Sequence, residues 1–138
     1  MGIQQISVFL ENTTGRLCEV TRTLAASEVN LRAISIADTA DFGILRLIVD
    51  KTGDAVNALA AAGFTTRLTD VAAVEIEDRP GSLAALMELF QKSGINIEYL
   101  YASLEGNAGK AVVIFKLEDN EKGFEIIKKS GLAMADGF

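Results

Sequence analysis

The sequence contains no histidine, no tryptophan and a single cysteine, Cys18, among its 138 residues. Without an imidazole it lacks the commonest general base, the commonest metal ligand and the usual partner of a nucleophilic serine or cysteine. We therefore expect no enzymatic activity, no cofactor and no metal, and we expect Cys18 to be a partly buried thiol without a role. One cysteine excludes an internal disulfide, and the sequence shows no apolar leader, so the expected location is the cytoplasm.

Basic residues and long apolar runs are also scarce. The chain has 13 Lys and Arg against 19 Asp and Glu, a formal net charge of −6, which opposes binding to a phosphate backbone. Its longest apolar runs, at 58–62 and 111–115, are far shorter than the ~20 residues of a membrane helix. Neither nucleic acid nor a membrane is therefore expected as a partner. The 49% of hydrophobic residues are enough for a folded core.

The sequence resembles itself after a shift of 66 positions. Five identical pairs support this alignment: Glu11 with Glu77, Gly15 with Gly81, Leu17 with Leu83, Ser27 with Ser93, and Asn30 with Asn96. Apolar residues coincide as well, and beyond Gly43 and Gly109 the register shifts by two, which a loop insertion explains. A duplication is indicated, with a first unit at 1–69 and a second at 70–138.

Hydrophobic periodicity predicts the same order of elements in both units. In the first unit we predict strand 6–10, helix 17–25, strands 31–36 and 44–49, helix 54–62 and strand 65–68. In the second we predict strand 72–76, helix 83–90, strands 97–102 and 111–117, helix 120–129 and a short or irregular last strand at 132–136. The order βαββαβ, twice, indicates an α+β protein of two ferredoxin-like units, each with helices on one face of an antiparallel sheet.

Two loops carry a resemblance to a known family. Residues 77–83 read Glu-Asp-Arg-Pro-Gly-Ser-Leu and lead through a helix to Ile95-Asn96-Ile97, while residues 11–17 read Glu-Asn-Thr-Thr-Gly-Arg-Leu and lead to Val29-Asn30-Leu31. This pattern resembles the ACT domain, an amino-acid-sensing module of metabolic enzymes, and its loops are similar to those of the regulatory domain of D-phosphoglycerate dehydrogenase. Thr13-Thr14 replaces the family's Arg-Pro and Asp78 replaces its Asn, so we expect two unequal pockets.

The resemblance implies a regulatory protein in which two ACT units pair and bind a free amino acid between them, at the loops joining the first strand to the first helix. The ligand-binding residues it implies are Asn12, Gly15, Arg16, Leu17, Asn30, Leu31, Asp78, Gly81, Ser82, Leu83, Asn96 and Ile97. The glycines would allow close approach, and the helix N-terminus would offer N–H groups to a carboxylate. Side-chain oxygens of the loop and of the second strand's start would accept from the ammonium group.

The expected partners are a second copy of the chain, in a homodimer, and a biosynthetic enzyme that the chain regulates. Period-two alternation puts Tyr99 and Tyr101 on the face of the sheet away from the helices, together with Val112 and Ile114. Such an apolar patch indicates an interface, either with a second chain or between the two sheets of one chain.

Other interpretations of these residues remain open. Gly15 and Gly81 would serve the turn alone, Asp78 would cap a helix, and the two asparagines would favour left-handed turns. Two other functions also remain open. One is a small acylphosphatase-like hydrolase that holds phosphate with Arg16 or Arg79. The other is RNA binding through the exposed tyrosines.

Overall fold

The computed structural model describes residues 2–38, 41–104 and 108–135. By their contacts the residues form two compact units, one from Gln4 to Thr69 and one from Asp70 onward, which also includes the residues before Gln4. The elements in the first half are β1 (Ile3–Glu11), α1 (Arg16–Ala26), β2 (Leu31–Asp38), β3 (Phe42–Val49) and α2 (Thr52–Ala61). Next come β4 (Thr65–Glu77), α3 (Ser82–Lys92), β5 (Ile97–Ala102), β6 (Lys110–Leu117) and α4 (Asn120–Ser130). Six strands and four helices in the described part confirm the α+β class. The ranges 1–69 and 70–138 stay a prediction.

Each unit is built around a central strand that pairs antiparallel on both sides. In the first unit β3 lies between β1 and β2, and Val8 is opposite Leu45. In the second unit β6 lies between β4 and β5, and Val74 is opposite Val113. A single bridge joins Val74 to Met134, so the last strand is as short as the sequence predicts. These pairings confirm the ferredoxin-like arrangement.

One boundary between elements was predicted wrongly. The separate strands expected at 65–68 and 72–76 are one strand of 13 residues, β4. The prediction left a break at 69–71, yet no glycine or proline interrupts this segment, so its backbone stays extended.

The core of each unit lies between its strands and its two helices. In the first unit Val20 and Leu24 of α1 are buried with Leu59 of α2. In the second unit Phe90 of α3 meets Phe115 of β6 edge to face, with ring centroids 5.7 Å apart. The periodicity therefore identified the inner faces of α1 and α3.

The first apolar residue of each predicted helical stripe is not in the core. Leu17 is 41% exposed and Leu83 is 39% exposed, although both were placed on the inner face of their helix. Both lie in the first turn, before the first buried residues, Val20 and Leu86. These two leucines are therefore available at the loops that precede the helices.

The strand face away from the helices is more buried than the sequence suggested. Gln5 and Ser7 are buried on β1, and the amide of Gln5 donates to the Ser7 hydroxyl at 3.3 Å. Tyr101, Val112 and Ile114 are buried as well. The last three are therefore not an exposed patch, and the expectation that Tyr101 lies on an open surface was wrong.

Gly123 fits α4 closely against β6. A Cβ at this position would overlap Cδ1 of Leu117, which is fully buried and therefore has little room to move. In the first unit the aligned positions hold Val49 and Ala55, a smaller residue on the strand and a larger one on the helix. Side-chain volume is thus exchanged between strand and helix.

We expect Gly123→Ala to destabilise the protein, since overpacking costs about 1–3 kcal/mol and outweighs the gain of up to ~1 kcal/mol in helix propensity. Leu117→Val in the same chain should recover part of the loss because it removes the overlapping atom. Gly53→Ala is the control, because a Cβ there meets nothing within 4 Å. Urea unfolding measures the free energy of unfolding of all three variants. A Gly123→Ala protein as stable as Gly53→Ala would contradict this packing.

An ion pair links β4 to β6 at the end nearest the 78–81 loop. Glu77 and Lys110 are opposite in register and their side chains form a salt bridge. The hydrogen bond from Lys110, then its charge, lowers the pKa of Glu77; burial opposes this shift, and the charge of Arg79 is the smallest of the four effects and lowers the pKa.

Because folding lowers the pKa of Glu77, this pair stabilises the protein above the carboxyl group's unfolded pKa, and the contribution is lost as the pH falls through the folded pKa. Lys110→Met should raise the pKa of Glu77 toward its ordinary value, with little effect on stability because both side chains are exposed. Lys116→Met removes the cross-strand pair with Glu98 and should leave Glu77 unchanged. A carbon-detected NMR titration measures the pKa of Glu77 in both variants. An unchanged pKa in the Lys110→Met protein would contradict Lys110 as the cause of the shift.

Candidate functional site

The two loops between first strand and first helix, 12–15 and 78–81, have the same backbone geometry. The Asn12 N–H donates to the carbonyl of Asp41 at 3.0 Å, and the Asp78 N–H donates to that of Gly109 at 2.9 Å. The next N–H in each loop donates back to the strand's last residue, Glu11 or Glu77. The repeat seen in the sequence is therefore also a repeat of structure.

A left-handed glycine ends each loop. Gly15 has φ 91° and Gly81 has φ 93°, a region that L side chains rarely adopt. The helices begin at the next residue, and no described side chain caps α1 or α3, whereas Asp119 caps α4 by accepting from the Lys122 N–H. Asp78 is therefore not a helix cap, and that alternative is wrong. Both helices present uncapped N-termini at their loops.

The predicted residues at the start of β2 and β5 lie far from the loop of their own unit. Loop 12–15 meets the beginning of β3 at Asp41, whereas the Asn30 N–H donates to the Asp50 carboxylate at 2.9 Å, beyond the other end of β3. The eight residues of β3 separate them by about 27 Å at ~3.4 Å per residue. The predicted convergence of loop and asparagine is thus not made within one unit, and a ligand that contacts both stays a prediction.

Asn96 occupies the corresponding place in the second unit. Its carbonyl accepts from the Glu118 N–H at 3.0 Å, as that of Asn30 accepts from Asp50 at 3.1 Å. It also lines a polar cleft of about 220 Å³ with Glu118, Asp119 and Lys122. Among the described non-glycine residues only Glu28 has positive φ, so the left-handed interpretation of the two asparagines is wrong. Leu31 and Ile97 follow them as half-buried first residues of β2 and β5.

Arg16 is held in place by its neighbours. Its guanidinium forms a salt bridge with Glu19 at 2.8 Å and lies 4.7 Å from the ring centroid of Phe64. Ser82 is the aligned residue in the second unit, and its buried Oγ has no hydrogen-bond partner. Thus the first residue of α1 and that of α3 differ in size, charge and pairing.

A cavity of about 330 Å³ lies beside the 78–81 loop, within the second unit. It is lined by Ile76, Glu77, Arg79, Ser82, Ala85, Leu86, Leu89, Ser130 and Leu132. Of these, Ser82 was expected at the amino-acid site, and Arg79 was expected only as a phosphate ligand of the hydrolase alternative. The apolar residues were missed because helical periodicity marks them as core whether or not their neighbours fill the space. The replacement of Arg16 by Ser82 in the repeat was the available signal.

Other chemistry finds little support in the described residues. Cys18 is exposed rather than partly buried as expected, because it lies on the outer side of α1. Within the ranges that the structure describes, no three potential metal ligands are grouped together. No helix in that part of the chain is long and apolar enough to cross a membrane.

None of the curated proteins matches the chain. It is similar in structure to protein BT0572 from Bacteroides thetaiotaomicron, with 38% identity, a TM-score of 0.92, and coverage of 98% of this chain and 92% of that one. The ligand-free regulatory subunit of aspartate kinase from Thermus thermophilus shares 20% identity, with a TM-score of 0.68 and coverage of 93% and 91%.

The regulatory subunit of aspartate kinase from Thermus flavus shares 18% identity, with a TM-score of 0.64 and coverage of 95% and 94%. At 20% and 18% identity, the similarity to these two proteins shows a shared fold. The family model of the ACT domain pair matches residues 1–136, almost the whole sequence. With the duplicated loops and the ferredoxin-like pairing, this match shows that the chain belongs to the ACT domain family, as an ACT domain pair.

Proposed function

We propose that this chain is a non-catalytic regulatory protein that senses a free amino acid through the loops 12–15 and 78–81. The observation that carries the proposal is the duplicated loop, in which a left-handed glycine precedes a helix without a side-chain cap. Unpaired N–H groups and the helix dipole at such an end favour a carboxylate. The ACT family supplies the class of ligand.

The polar side chains of the loops suit the other end of an amino acid. Asn12 and Asp78 are exposed in the two loops and carry oxygens that accept hydrogen bonds from an ammonium group. Asp78 adds a negative charge that Asn12 lacks, so we propose that the second loop holds the ammonium more tightly.

The partners belong to the same proposal. This chain covers more than nine-tenths of the length of the aspartate kinase proteins, whose names describe them as regulatory subunits. We propose that this protein likewise regulates a biosynthetic enzyme, that it acts as a homodimer, and that its ACT units are residues 1–69 and 70–138.

The hydrolase alternative has less support. Arg16, one of its two candidate phosphate ligands, is already engaged by Glu19 and stacked on Phe64. A phosphate would have to displace the carboxylate in a chain of net charge −6. Acyl-phosphate hydrolysis by the purified protein would support the alternative and oppose the sensor.

A thermal-shift screen of the twenty amino acids tests whether the chain is a sensor. A ligand present at 100 times its dissociation constant should stabilise the fold by about 2.7 kcal/mol. We expect one amino acid, or a few of similar chemistry, to raise the melting temperature, while the rest have no effect. If none does so at 10 mM, the proposal fails.

Replacing the loop glycines tests where the amino acid binds. Gly15→Ala and Gly81→Ala should each cost about 1–2 kcal/mol of stability, because alanine is strained at positive φ. At least one of them should also weaken amino-acid binding about tenfold, since the N–H groups that follow would be redirected.

Gly63→Ala is the matched control. Gly63 has φ 89° with nothing within 4 Å of its Cβ position, so it carries the same strain at the end of α2. In calorimetry, the Gly63→Ala protein should bind the amino acid with the same affinity as the parent. Equal affinities in all three variants would remove the loops from the site.

A further inference from the structure

The two units differ in how they fill the space beside the first helix. In the first unit the Arg16 guanidinium lies against the ring of Phe64, which is only 5% exposed. The aligned residues of the second unit, at shifts of 66 and 68, are Ser82 and Leu132. Both are smaller, and the second unit has the 330 Å³ cavity that they line.

Most of the cavity wall is apolar. Ala85, Leu86 and Leu89 line it from α3, while Leu132 lines it from the segment after α4. A volume near 330 Å³ is at the lower end of small-molecule sites, which suits a ligand of about ten heavy atoms. An aliphatic chain would replace water along this wall at a gain of about 0.8 kcal/mol per buried methylene group.

The remaining lining residues include polar side chains and charges of both signs. Arg79 contributes a guanidinium, which the first unit lacks because Thr13 is aligned with it. Glu77 lines the cavity as well, and its carboxylate, which also accepts from Lys110, stays ionised at neutral pH because Lys110 lowers its pKa. The buried Ser82 hydroxyl, which has no partner, lines the same space.

We propose that this cavity binds one free amino acid with an aliphatic side chain, and that the Arg16–Phe64 stack closes the equivalent place in the first unit. Arg79 adds a cation for the carboxylate beside the start of α3, Glu77 adds a second acceptor for the ammonium group beside Asp78, and the side chain lies against the leucines. The proposal rests on the proposed function for the class of ligand. It adds the kind of amino acid, its place and a stoichiometry of one per chain.

Calorimetry with L-leucine, L-isoleucine and L-valine, against glycine, L-serine and L-aspartate, tests the ligand. We expect at least one aliphatic amino acid to bind at one per chain and at least tenfold more tightly than the polar three. The double variant Ser82→Arg/Leu132→Phe carries the first unit's residues in the second unit. It should keep its circular dichroism spectrum and lose at least 100-fold in affinity for the aliphatic ligand.

A matched pair of single variants decides the case even if the double variant does not fold. Arg79→Gln should weaken binding of the aliphatic amino acid at least tenfold, because the carboxylate loses its cation. Arg22→Gln, at an exposed position of α1 in the first unit, should leave it unchanged.

The outcomes separate this inference from the proposed function. Binding of polar amino acids in preference to aliphatic ones overturns the inference and leaves the sensor standing. Three other results would also overturn the inference and leave the sensor standing: two aliphatic ligands bound per chain, equal effects of the two arginine variants on affinity, or an unchanged affinity in a folded double variant. If no amino acid binds the parent, both proposals fail.

Discussion

The backbone at the residue between first strand and first helix governs both packing and the candidate site. Positive φ at Gly15 and Gly81 reverses the chain in four loop residues, so that α1 and α3 return along the strands they follow. That return buries Val20 and Leu24 in one unit and Leu86 and Phe90 in the other. It also leaves the helix N-terminus at the loop. There the first N–H of each helix donates to a loop carbonyl, and the N–H groups that follow it are available to an anion.

Much of the fold follows from periodicity because burial repeats with the geometry of the backbone. Alternation at Ile6, Val8 and Leu10 and the spacing of Val20 and Leu24 identified strands and helix faces that the structure confirms. The repeat located both loops, and the glycines marked where the chain turns. These signals are local, so a single sequence carries them.

What the sequence missed depends on residues distant along the chain. The burial of Gln5 and the exposure of Leu17 follow from what lies over each position, which alternation does not report. The cavity is a further case, because it arises from the small size of Ser82 and Leu132 together, 50 positions apart. Each is unremarkable alone. The comparison of the two units makes their combination visible, since Arg16 and Phe64 show how the same place is filled.

The exchange of volume between β6 and α4 bears on the history of the duplicated gene. If the common ancestor of the units resembled the first, with valine on the strand and alanine on the helix, the second unit acquired Leu117 and Gly123 later. If leucine had been acquired first, its side chain would have overlapped the alanine Cβ in a filled core. If glycine had been acquired first, the cost would have been about 1 kcal/mol of helix propensity. Epistasis of this kind favours one order, glycine before leucine, and makes reversion of the glycine alone unfavourable once leucine is in place.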